Sequence, residues 1–66
     1  KGLFFIEIPD YKGPVIMKIS DQSGKLIETH HLMYSGLMSW RLGKGIWKMN
    51  FVTEQIQEVS AVVVVH

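Results

Sequence analysis

Apolar and polar residues alternate with period two along most of this chain, the pattern of strands with one face buried and one face wet. Val15, Met17 and Ile19 share one face of a segment, and Lys18 and Ser20 fall on the other. Trp47, Met49 and Phe51 alternate with Lys48 and Asn50, the cleanest amphipathic strand in the sequence. Near the start, Leu3, Phe5 and Glu7 alternate with Phe4, Ile6 and Ile8, which predicts a first strand apolar on both faces until Pro9 ends it. Pro9-Asp10-Tyr11-Lys12-Gly13-Pro14 is dense in turn formers and reads as a loop. Leu37 to Leu42, with Trp40 in its middle, predicts a further strand. Gln55 to Val59 and Ala61 to Val65 close the chain as β-branched strands. Glu54, Gln55 and Glu58 are fair helix formers, but no apolar i, i+3, i+4 stripe supports a helix over Thr53 to Val59.

Two turn signals punctuate these segments. Asp21-Gln22-Ser23-Gly24-Lys25 separates Val15–Ser20 from Leu26–His30, and reads as a tight reversal. Asp caps its own turn through its carboxylate, and Gly accepts the positive φ needed to re-enter the ladder. Gly43-Lys44-Gly45 precedes the Trp47 strand in the same way. Short strands with turn signals every 8–12 residues indicate an all-β sandwich or small barrel, because such strands need two layers to bury their apolar faces.

Sixty-six residues allow one domain, residues 1–66, with a thin stability margin. There is no cysteine to add a disulfide or a thiolate metal site. With 47% apolar and 20% charged residues, the chain is too apolar for intrinsic disorder. Its net charge of +1 provides no electrostatic footprint for nucleic acid or anionic lipid. The longest apolar run, Ala61 to Val65, is far below the ~20 residues of a membrane-spanning helix. No signal peptide pattern opens the chain, and Lys1 in place of Met reads as a piece of a longer protein.

Reactive side chains form no constellation. His30 and His31 are neighbours on a strand and face opposite ways, so they cannot chelate one ion together, and His66 stands apart. The carboxylates Glu7, Asp10, Asp21, Glu28, Glu54 and Glu58 are not paired for acid–base work. No serine sits in a nucleophile elbow, and Gly43-Lys44-Gly45 lacks phosphate-loop spacing. No enzyme and no cofactor is expected. Trp47 is in phase with Met49 and Phe51 and reads as core; Trp40 and Tyr34, the latter in a loop-like Tyr34-Ser35-Gly36 and therefore partly exposed, could offer a sugar platform. Val62-Val63-Val64-Val65 has two readings: a buried strand, or an edge whose backbone a partner or a second copy can pair.

Taken in order, these segments resemble the C-terminal sorting domain of the type IX (Por) secretion system of Bacteroidetes. That family has a strand, an Asp-x-x-Gly-Lys/Arg turn followed by an aliphatic residue, a variable hairpin, a leucine, a Gly-aliphatic-Tyr strand and a valine-rich last strand. Here the match runs through Val15–Ser20, Asp21, Gly24, Lys25, Leu26, Leu42, Gly45, Ile46, Trp47 and Val59–Val65. Trp47 replaces the usual Tyr, and His66 ends a chain that in cargo ends on or near Lys or Arg. Glu54, Gln55 and Gln57 stand where the final hairpin usually carries lysines. These departures suit a divergent, uncleaved member of the machinery.

The resemblance implies an immunoglobulin-like antiparallel β-sandwich of about seven short strands, acting as a non-catalytic secretion address. It implies recognition by the outer-membrane translocon and its shuttle protein, passage through the periplasm, and a destination at the cell surface or beyond. In ordinary cargo a sortase-like surface peptidase then removes the domain. Val62, Val63, Val64, Val65 and His66 become the candidate recognition segment. Two other readings stand beside it: an immunoglobulin-like adhesion spacer of a surface protein, and a small carbohydrate-binding sandwich using Trp40 and Tyr34.

Overall fold

A computed structural model describes residues 2–55 and 57–66. Six strands and no helix occur among them: β1 (Leu3–Glu7), β2 (Gly13–Ser20), β3 (Leu26–Tyr34), β4 (Leu37–Arg41), β5 (Gly45–Thr53) and β6 (Glu58–Val65). They form two antiparallel sheets, one of four strands in the order β3-β2-β5-β6 and one of two, β1-β4. The all-β, sandwich-like architecture agrees with the hydrophobic pattern. The count is six instead of about seven because the predicted Gln55–Val59 strand does not form as such: Gln55 lies in the turn after Thr53, Gln57 precedes the strand, and only Glu58 and Val59 are extended, continuous with Ala61–Val65. Ser60 does not break this run: it sits opposite Asn50 in the ladder, and the Asn50 side-chain amide donates to its hydroxyl at 2.9 Å. Ile56, within the predicted Gln55–Val59 strand, lies outside the described residues, as does Lys1.

The core sits where the alternation places it. Val15, Met17 and Ile19 from β2 and Met49 and Phe51 from β5 are buried on the inner face of the large sheet. Ile6 and Ile8, from β1 and the residue after it, bury against them from the opposite layer. Burying each such side chain contributes roughly 1.5–3 kcal/mol. Trp47 packs half-buried at the margin of this cluster.

Several features add to or depart from the sequence reading. Strand β1 is apolar on both faces, but one of those faces is not covered: Phe5, 65% exposed, stands on the outside of the small sheet beside exposed Leu3 and Leu37. Strand β3 runs four residues beyond His30. Tyr34, at its end, is no exposed loop residue but is 2% exposed. The loop of residues 9–12, shorter than the predicted Pro9–Pro14 because Gly13 and Pro14 already belong to β2, closes over it, with the Tyr11 ring stacked at 6.5 Å, and the Tyr34 hydroxyl accepts the Ile8 amide at 2.7 Å.

Candidate functional site

The Asp21 reversal is built around one carboxylate oxygen. Asp21 Oδ1 accepts the Ser23 hydroxyl at 2.7 Å, the Ser23 amide at 2.9 Å and the Lys25 amide at 3.0 Å. The Asp21 amide and carbonyl close the ends, pairing with the Lys25 carbonyl and the Gly24 amide. The Ser23 hydroxyl, and then the Lys25 amide, hold the Asp21 carboxyl below its ordinary range by bonding to the charged form. Gly24 takes φ +92°, which L side chains rarely adopt. A register shift at Ile19/Ser20 accompanies the turn.

The second motif has an equally local cause. The Trp47 indole folds back toward Gly45 and donates its N–H to the Gly43 carbonyl at 3.0 Å. A Cβ on Gly45 would lie 3.4 Å from the indole ring, and Gly45 holds φ +146°. Glycine therefore precedes the aliphatic–aromatic pair because the ring covers the backbone there. Ile46 turns to the outer face, and Leu42 is buried just before the strand.

Register brings the motif residues together. Ser20 pairs with Lys48, Lys48 with Val62 and Gly45 with Val65. The Asp21 turn, the Leu42–Trp47 segment and the last residues of β6 thus lie at one end of the molecule. Tyr11, Tyr34 and the turn after Thr53 lie at the other.

Among the candidate recognition residues, β6 is an edge of the four-stranded sheet, so one row of its backbone N–H and C=O groups has no strand partner. Val62 is 68% exposed and Val64 51%, both on the outer face, while Val63 and Val65 are half-buried toward the core. Of the two readings of the valine run, the structure selects the edge. Glu58 opens the strand, its carboxylate accepting from the Asn50 amide at 3.3 Å, and His66 follows its end. Val65 and His66 border an open hollow shared with Arg41 and Lys44, so the two ends of β6 differ in charge.

The histidines point apart, as strand geometry requires. His30 faces inward, 2.6 Å from the Glu28 carboxylate and edge-on to Trp40 at 4.7 Å, linking β3 to the small sheet. His31 faces outward beside Ile16. This Glu28–His30–Trp40 contact was not legible in the sequence, since it joins strands whose packing no local pattern sets. Nor does Tyr34 serve a sugar platform with Trp40: its ring is buried and its hydroxyl is engaged by Ile8.

Among the described residues no helix is long and apolar enough to cross a membrane. Comparison with protein-family models, with curated proteins and with solved structures gives no match.

Proposed function

We propose that this domain is a non-catalytic sorting signal of the type IX kind, read by an outer-membrane translocon that delivers the parent protein to the cell surface. One observation carries the reading: the exposed, nearly uncharged edge β6 ends beside the Asp21 turn and the Gly45-Ile46-Trp47 segment that define the resemblance. A bare β-branched edge is an aggregation hazard unless something covers it. A receptor that adds a strand to β6 gains backbone hydrogen bonds, and the alternating valines supply side-chain selectivity. The chemistry of the site is recognition by backbone pairing, with Asp21, Gly24, Gly45 and Trp47 shaping the end at which it occurs.

The test is export of a reporter carrying these residues at its C-terminus, in a bacterium equipped with the type IX machinery. The reporter should reach the cell surface, and removing Val62 to His66 should strand it in the periplasm. Because that truncation also removes part of a strand, a folded tag placed after His66 is the sharper arm. Blocked delivery of the tagged, folded fusion supports a terminal signal; undiminished delivery favours an adhesion spacer.

A further inference from the structure

We infer that β6 pairs with β6 of a second copy, antiparallel and centred on Val62, joining two four-stranded sheets into one of eight. This inference does not depend on the sorting reading. Residues directly opposed in an antiparallel pair must both turn their N–H and C=O groups toward each other or both away. Those groups alternate along a strand, so a symmetric self-pairing is centred on a residue and opposes only positions of the same parity.

Charge selects among the allowed registers. Glu58 is the one charged side chain within β6, and His66 follows its far end, next to Arg41 and Lys44. Centring on Val62 sets Glu58 of each copy against His66 of the other, on the outer face, and does so twice by symmetry. Centring on Ala61 would oppose Glu58 to Val64, and centring on Val63 would leave Glu58 beyond the pairing. The Val62 register also continues the inner face, setting exposed Val59 against Val65 and Ala61 against Val63. Lys48, beside Val62 on β5, lies one strand back from the two-fold axis in each copy and does not meet its counterpart. Edge pairing of this length makes a small interface, so the dimer should be concentration-dependent.

Sedimentation of the chain at rising concentration, up to about 1 mM as suits a small, weak interface, should show a mass moving toward twice 7.6 kDa. Val62→Lys places two cations on the two-fold axis and should remove the dimer, while its melting at low concentration stays that of the parent. A chain that remains monomeric throughout, or a Val62→Lys dimer as strong as the parent's, overturns the inference.

Register is tested separately, because the chain has no cysteine of its own. Ser60→Cys, Val62→Cys and Val64→Cys, one at a time, are oxidised in the dimer. Cysteines at 62 face each other, whereas those at 60 or 64 lie about four residues, or ~13 Å, from their counterparts. Cross-linking at least tenfold faster at 62 is expected, and equal rates overturn the register. Glu58→Lys should weaken association, because it sets a second basic side chain against the His66 end of the partner copy, beside Arg41 and Lys44. Adding His66→Glu to it should restore association, and no recovery counts against the Glu58–His66 pairing.

Discussion

Strand β3 bounds the four-stranded sheet on one side with Glu28, Thr29, His30 and His31, while β6 bounds it on the other with Ser60, Ala61 and four consecutive valines. Both are edges, with equal need of protection. The first is guarded: a register shift disturbs its ladder near Ile27, Glu28 and His30 hold each other, and Trp40 of the small sheet packs against the His30 ring. Among the described residues, the second has no such device between Val59 and Val65. A chain that blunts one edge and leaves the other bare is open to strand addition on one side only. That asymmetry is the ground on which we propose β6 as the recognition surface.

The comparison holds only while the shared interior strands stay folded, so the largest effect should come from β5. Phe51→Ala should cost roughly 3–5 kcal/mol, comparable to the whole stability of a domain this small, and destroy both edges together. A cooperative melt near that of the parent would show that Phe51 is not core. On the guarded side, Tyr34→Phe leaves the Ile8 amide buried without its acceptor and should cost about 1–3 kcal/mol by chemical denaturation. An unchanged midpoint would mean that the hydroxyl does not close the loop of residues 9–12 over the core.

At the end where the two edges approach the Asp21 turn, Gly24→Val should be less stable than Gly24→Asn by about 1–2 kcal/mol, since Asn tolerates positive φ and Val does not. Equal stabilities would sink that account of the turn. The smallest effect is the acid limb of Asp21. Its carboxyl is held below the ordinary value of about 3.9, so the unfolded chain binds protons first as pH falls. The stabilisation is therefore complete above about pH 5 and is lost progressively as pH falls below the unfolded value and through the lower folded one. Asp21→Asn should flatten that part of the stability–pH curve, and an unchanged slope would exclude the carboxylate as the turn's organiser.

The interior was legible because local alternation and tertiary burial agree there: Val15, Met17, Ile19, Met49 and Phe51 all face the core that their spacing indicates. The Asp21 turn was legible because its hydrogen bonds span only four residues. Tyr34 was not, because the group that satisfies it lies 26 residues away, while Ser35 and Gly36 beside it signal a loop. The course of β6 through Ser60 was hidden for a related reason: Ser60 looks like a break until Asn50 faces it across the ladder, whereas Gln55, read as strand, lies in the turn after Thr53. Likewise, the valine run alone could not distinguish a central strand from an edge, since that depends on strand order. Leu3, Phe5 and Leu37 are exposed because they lie on the face of the small sheet opposite Ile6, turned away from the core.

The contrast between the two edges is tested most directly by placing the same blocking charge on each. Val62→Lys on β6 and His31→Lys on β3 both alter exposed, outward-facing positions, so both proteins should fold. Fused to an exported reporter and compared by surface labelling of intact cells, Val62→Lys should abolish delivery, whereas His31→Lys should leave it at the parent's level. Equal delivery by the two fusions, with melting curves like the parent's, would contradict recognition through the β6 edge.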